Sequence, residues 1–395
     1  MKDRALKIIN LAVLFQQQRY LVAISFLFYL ANGLTLSDFL LFQSIFYFTG
    51  LIAEIPAGYI GDIFPRKNVL IFSYVLYMCR IAMWIIMPNY YTILLGEICY
   101  GLSKAFYRGV SDGYIYDYLK ENSITKLMSD KYGKFNFFMS TGSAISCLIG
   151  AWLFKFVGFG ILLGIEFLFN SFAVFILFFL PNVPHTGRNL SFGKHIKNIF
   201  DIVISAMKNP KLNIYLLYGG ILTGVTSIFV WNFQPFMKSF ALPVYLFGVI
   251  YFINHMLRAF GSAGADKVLQ KIPLKKVSCF VWLFYLLCFL LMIRAQGMSG
   301  YFVCIATLVF VCLVIGVQMI FNVGNISRIH GLISSDIRAT VSSIYSMLSS
   351  LFSGLFLMLF KSLSDGGSIK ISLCIFAILF FFAGIFVRKI IRSEL

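Results

Sequence analysis

The sequence predicts an all-α membrane protein of about twelve spanning helices. Three observations lead there. Of 395 residues, 60% are hydrophobic and only 12% charged, and the mean hydropathy is +0.87. Apolar stretches follow one another almost end to end, each near the roughly 20 residues that cross a bilayer. Most connections are tight polar turns, which leaves no room for a sizeable soluble domain.

Taken in order, the first six spans are read at 8–32, 39–61, 68–87, 90–116, 136–156 and 159–180. Span 1 contains the polar run Gln16-Gln-Gln-Arg19, yet a span that began at Tyr20 would be too short. Tight turns at 33–38 and 87–90 close spans 1 and 3. The stretch 181–212 is longer and carries Pro181, Pro184, Pro210 and several basic residues. Within it, Ile196, Ile199, Phe200, Val203 and Ile204 recur at helical spacing, so 192–207 is predicted to be an amphipathic helix on the membrane surface. Six further spans follow at 213–237, 244–264, 277–293, 301–323, 340–359 and 370–387. The expected organisation is a six-helix half at 1–180, a linker at 181–212 and a second six-helix half at 213–395.

Charge gives the orientation. The formal net charge is +18, and the basic residues gather in alternate loops. One set holds 23 of them, among them Lys2, Arg66, Lys67, Lys126, Arg188, Lys194, Lys275 and Arg388; the opposite set holds only Lys155, Lys238, Arg294, Lys361 and Lys370. Basic loops face the cytoplasm, so both termini and the linker are expected there. No basic stripe with interleaved aromatics lies on a soluble segment, which argues against nucleic acid as a partner. All eight cysteines fall inside spans without a CxxC pair or a His cluster, so neither a disulfide framework nor a metal site is expected. A phosphate-binding GxxxxGK[ST] loop is absent. The expectation is a monomeric carrier with no cofactor, not an enzyme.

The loop after span 2 reads Gly58-Tyr-Ile-Gly-Asp62-Ile-Phe-Pro-Arg66-Lys67. A carboxylate where a helix leaves the bilayer can cap a neighbouring helix N-terminus, and the cations can bridge to carboxylates or lipid phosphates. The spacing Gly58-x3-Asp62-x3-Arg66-Lys67 resembles the signature loop of the major facilitator superfamily. Ile63 and Pro65 stand where that signature usually has Arg and Gly. A weaker copy, Gly261-Ser-Ala-Gly-Ala-Asp266-Lys267, closes span 8. The segment Asp336-Ile-Arg338-Ala-Thr340 before span 11 also resembles a superfamily segment, and Glu54-Ile-Pro-Ala-Gly58 resembles a bacterial subgroup with drug, antibiotic or peptide exporters. The resemblance implies two pseudo-symmetric six-helix halves and transport by alternating access. It implies a gate formed by Gly58, Asp62, Arg66 and Lys67 with Asp336 and Arg338.

Span 4 carries Glu97, Gly101, Lys104, Arg108 and Asp112 at spacings that share one helix face. Charged groups on a spanning helix line a polar cavity or pair with one another. Substrate or proton handling by Glu97 and Lys104 therefore stands beside structural Glu97–Lys104 and Arg108–Asp112 pairing. On span 1, Gln16, Arg19 and Tyr20 share a face at helical spacing. Glu54, Arg80, Glu166, His255 and Arg258 are further ionisable residues within spans. Glu54 and Glu97 have no basic residue within four positions and are the candidates to carry a coupling proton. Gln16, Arg19, Arg80, Lys104, Trp231, Gln234, Gln318 and Asn322 are the candidate substrate contacts. Trp231 and Gln234 flank the helix-bending Pro235, and Gln318 and Asn322 are one helical turn apart.

The expected activity is proton-coupled export of a small organic, antibiotic- or peptide-like solute. The alternative is proton-coupled uptake of a small anionic metabolite or siderophore; cations slightly outnumber acids among the cavity candidates, and the Gly-Pro motif of antiporters is missing from span 5. A receptor or channel on the same scaffold is a further class, distinguished by its lack of solute counterflow.

Overall fold

The computed structural model describes residues 4–121, 128–183, 208–298, 300–334, 337–365 and 368–394. Twelve α-helices are described: α1 Arg4–Gln16, α2 Ser25–Ala31, α3 Leu36–Ile63, α4 Arg66–Ile86, α5 Tyr90–Glu121, α6 Met128–Phe178, α7 Pro210–Ser239, α8 Val244–Leu269, α9 Leu274–Ala295, α10 Tyr301–Gly331, α11 Arg338–Asp365 and α12 Ile369–Glu394. Among the described residues, eight helical stretches are long and apolar enough to cross a membrane. One of them, Phe137–Phe178, is 42 residues long. It holds two spans, because Gly158 at φ 70° breaks the helix between them. That backbone region suits a residue without Cβ. The polar run inside α5, with Glu97, Lys104, Arg108 and Asp112, makes this 32-residue helix less apolar than its neighbours.

Span 1 departs from the continuous helix expected at 8–32. α1 ends at Gln16, residues 17–21 are irregular, a 3₁₀ turn covers Val22–Ile24, and α2 completes the crossing. The polar run is the physical reason. Its amides and guanidinium bond to side chains and local carbonyls, which competes with the helical ladder. Irregular backbone at membrane depth survives only where protein or a polar cavity surrounds it. Here Gln17, Gln18, Arg19 and Tyr20 are all buried. α6 makes room with glycines: a Cβ at Gly150 would collide with the Tyr20 backbone, and one at Gly142 would press on Leu14 and Gln17.

The chain forms two compact units. Unit 1 comprises Met1–Leu34, Ile45–Lys197 and Val244–His255; unit 2 comprises Thr35–Ser44, Asn198–Pro243 and Met256–Leu395. Within unit 1, α4 packs along α5, α6 lies against α1, and α6 also meets α4. Within unit 2, α9 packs along α10, α7 lies against α11, and α9 meets α12. Counted in spans, each pairing recurs six spans later, which is the pseudo-symmetry of two six-helix halves. Small residues set the close approaches in both. Gly101 of α5 would press on Phe46 and Thr49 of α3, and Gly316 of α10 faces Leu257 of α8. Large side chains such as Ile52, Trp152, Phe156, Phe302 and Phe382 are exposed, as a lipid-facing surface requires. The segment 192–207 lies outside the described residues.

Candidate functional site

Among the described residues, the buried charged side chains are Arg19, Arg80, Glu97 and Glu166, and all four belong to unit 1. They converge because α4 and α5 run side by side while the break in span 1 turns Arg19 inward. Arg80 of α4 pairs with Glu97 of α5 at 2.9 Å. The Tyr29 hydroxyl donates to the same Glu97 oxygen at 2.8 Å. Arg80 comes from the neighbouring helix, at a sequence distance no short-range spacing reveals. The alternative Glu97–Lys104 pairing is replaced by this one.

Aromatic rings enclose both guanidinium groups. The Arg80 guanidinium carbon lies 4.0 Å from the Trp84 ring centre and 4.6 Å from that of Tyr100. Arg19 lies 5.0 Å from Tyr77 and 5.4 Å from Tyr100, and Phe46 stacks on Tyr100 at 4.7 Å. Lys104 is half-buried, its ammonium 5.6 Å from the Tyr100 ring. Arg19 donates to the Gln16 side-chain oxygen at 2.9 Å, to the Gln16 carbonyl and to the Tyr100 hydroxyl. Each of these partners is neutral. Gln17 donates to Gln16 and accepts from Ser143 of α6. Glu166 of α6 accepts from the Tyr77 hydroxyl and the Leu21 backbone N–H. Arg80 Nε, Trp84 Nε1 and Glu97 Oε2 are buried without a hydrogen-bond partner. Such unmet capacity inside an aromatic box suits a polar, planar guest. Glu54 of α3 is half-buried, and Arg108 is exposed.

The signature loop forms a second cluster. Arg66 pairs with Asp117 near the end of α5 at 2.9 Å. Gly113, one turn earlier, leaves the space that the Arg66 guanidinium fills. Lys67 donates to the carbonyl of Phe178 at 2.6 Å, a cation on a helix C-terminus. Gly58 and Asp62 are half-buried beside this cluster, and Arg338 is exposed at the start of α11. Asp336 lies outside the described residues. Asp117 joins this cluster through its pair with Arg66, and in the sequence it shows only as an acid one helical turn beyond Gly113.

Unit 2 has a neutral cluster. Gln318 donates to Asn322 at 3.0 Å, the Tyr345 hydroxyl reaches Asn322 at 3.4 Å, and Asn325 donates to the Tyr215 carbonyl at 3.1 Å. Gly219 of α7 leaves the space that Asn325 and Tyr345 occupy. Gln234 is fully buried, and Trp231 packs edge-on against Phe39 at 5.8 Å. Pro235 lies inside α7 as expected.

No curated protein matches the chain by sequence. Solved structures match it in fold. A single-site variant of the nucleoside transporter NupG superposes with a TM-score of 0.83 at 15% identity, over 99% of this chain and 100% of that one. The POT family transporter PepTSo gives 0.77 at 14% identity, over 99% and 98%. A bacterial homologue of the human lysosomal transporter Spinster gives 0.71 at 13% identity, over 98% and 96%. The family model of the Major Facilitator Superfamily matches residues 8–357. With that match spanning both units, the chain belongs to the Major Facilitator Superfamily and is a multi-pass membrane transporter.

Proposed function

We propose that the chain carries a small organic anion across the membrane together with protons, as a monomer working by alternating access. The observation that carries this reading is Arg19, a buried cation whose hydrogen-bond partners are all neutral. A buried charge is stable only when paired or well hydrogen-bonded, and an arriving carboxylate would complete Arg19 with a bidentate partner. Gln16, Arg80 and Lys104 would line the same site, and the aromatic box would hold a planar body. In unit 2, Gln318, Asn322, Trp231 and Gln234 are proposed as neutral substrate contacts. Glu54 and Glu97 remain candidates for proton transfer, and Glu97 makes its ion pair with Arg80 at 2.9 Å.

A second reading, proton-driven export of an antibiotic- or peptide-like solute, draws on the Glu54-Ile-Pro-Ala-Gly58 segment. Expression switched on and off under a panel of toxic organic acids and antibiotics separates the two. Uptake sensitises cells to an acid, whereas export protects them. Gating is assigned to Gly58, Asp62, Arg66, Lys67, Asp336 and Arg338. Asp62→Asn is expected to slow transport while leaving the protein inserted, and a wild-type rate in reconstituted protein would remove Asp62 from the gate. The termini and the linker are assigned to the cytoplasm of a bacterial cell, and a reporter fused within 181–212 that reads as external would reverse this orientation.

A further inference from the structure

The turns after span 2 and span 8 hold equivalent places in the two halves, yet their cations are used differently. In unit 1 the charges are already engaged: Arg66 pairs with Asp117, and Lys67 donates to the Phe178 carbonyl. In unit 2 the turn from α8 to α9 carries Lys267, Lys271, Lys275 and Lys276, all exposed. Among the described residues, none of these four closes an ion pair. From 266 to 276 the sequence sets one acid, Asp266, against the four cations. α9 starts behind Pro273 without a side-chain cap, so its leading N–H groups add to the positive field.

Apolar rings continue both helices away from this charge. Lys276, Phe280 and Phe284 follow one another at four-residue steps and share one face of α9. Both rings are exposed, and they stack at 6.2 Å with 18° between their planes. On α8, Phe260 is exposed two helical turns before Lys267, on the same face. α8 and α9 are each long and apolar enough to cross a membrane, which puts the turn between them at the depth of the lipid headgroups. Each stripe therefore begins with a cation at the membrane rim and runs apolar toward the bilayer centre.

We propose that the α8–α9 turn is a binding site for an anionic phospholipid, whose phosphate sits among the four lysines while its acyl chains lie along Phe260 and the Phe280–Phe284 stack. A soluble anion would use the cations and leave the rings without a role; a lipid uses both. Lysine suits the task, because its stem can lie against the chains while its ammonium stays with the phosphate. Each basic residue near an anionic lipid surface strengthens association by about fivefold, so four together select a charged lipid over a zwitterionic one. The turn in unit 1 offers no such site, since Arg66 and Lys67 are bound within the protein. This lipid site is independent of the solute that the chain carries.

Native mass spectrometry of the purified full-length protein tests this, with dioleoylphosphatidylglycerol and dioleoylphosphatidylcholine offered in equal amounts. The wild type should retain the phosphatidylglycerol in preference by about tenfold or more. Changing all four lysines to Gln should abolish that preference, and changing all four to Arg should keep it. If the fourfold Gln variant does not fold, Lys275→Gln with Lys276→Gln takes its place and should show a smaller loss of the same kind. Phe280→Ala with Phe284→Ala should weaken retention of both lipids several-fold. Inorganic phosphate in excess should leave the bound lipid in place. Equal retention of the two lipids, an undiminished preference in the Gln variants, or displacement by phosphate alone overturns the proposal.

Discussion

The two units are built on the same helix pairings yet fill them with different chemistry. Unit 1 buries two arginines and two glutamates in an aromatic box. Unit 2, among the described residues, buries amides and hydroxyls such as Asn232, Gln234, Gln318 and Asn325, with no buried charge. Pseudo-symmetry therefore sets the scaffold, not the site. A charged cluster in a membrane bundle is costly and must be matched group by group, whereas neutral amides tolerate looser pairing. Under the proposed function, this difference gives ion handling to unit 1 and hydrogen-bond recognition to unit 2.

The sharpest way to break this comparison is to remove one half of the buried ion pair. Arg80→Gln or Glu97→Gln leaves a charge uncompensated and should cost about 3–5 kcal/mol. The thermal unfolding midpoint of the purified protein would report it. The double change Arg80→Met with Glu97→Met should recover much of the loss, because the pair itself adds little net stability. Single variants as stable as wild type would show that the two charges do not depend on each other.

Glycine contacts give a smaller contrast. In unit 1 a Cβ at Gly150 would meet the Tyr20 backbone, which cannot swing aside. Gly150→Ala should therefore cost about 1–3 kcal/mol and disturb Arg19 through the break in span 1. In unit 2 a Cβ at Gly224 would meet Phe352 and Phe356 at 2.9 Å and the Phe352 backbone at 3.0 Å, a milder overlap than the 2.1 Å at Gly150. Gly224→Ala should cost less in the same unfolding assay, and equal losses would erase the distinction. The mildest effect is expected at Gln318. Gln318→Leu removes a half-buried hydrogen bond worth about 0.5–1.5 kcal/mol. Transport by this variant should lose affinity while keeping the pH profile of the wild type.

Most of the scaffold was legible in the sequence because a spanning helix writes its length directly into apolar residues. The signature loop was equally plain, since Gly58, Asp62, Arg66 and Lys67 lie within ten positions. The site was only partly so. Among the candidates that residue type and spacing offer, Gln16, Arg19, Arg80, Lys104 and Glu97 meet in one cluster, but the sequence of span 1 reads as one continuous helix. Helical spacing cannot show that a polar run will break its own ladder. Nor can it show that Arg80 reaches Glu97 across 17 positions or Tyr77 reaches Glu166 across 89. Such pairings are set by which helices lie side by side, and tertiary packing decides that.

The most direct test of the account is proton movement in proteoliposomes holding a pH-sensitive dye, with a panel of small aromatic and aliphatic carboxylates supplied outside. The account predicts that at least one acid drives protons inward with it in the wild type, that Gln318→Leu weakens this by affinity alone, and that Arg19→Gln abolishes it. Protons that move against the solute, or an Arg19→Gln protein that transports like the wild type, would contradict the assignment of ion handling to the charged cluster of unit 1.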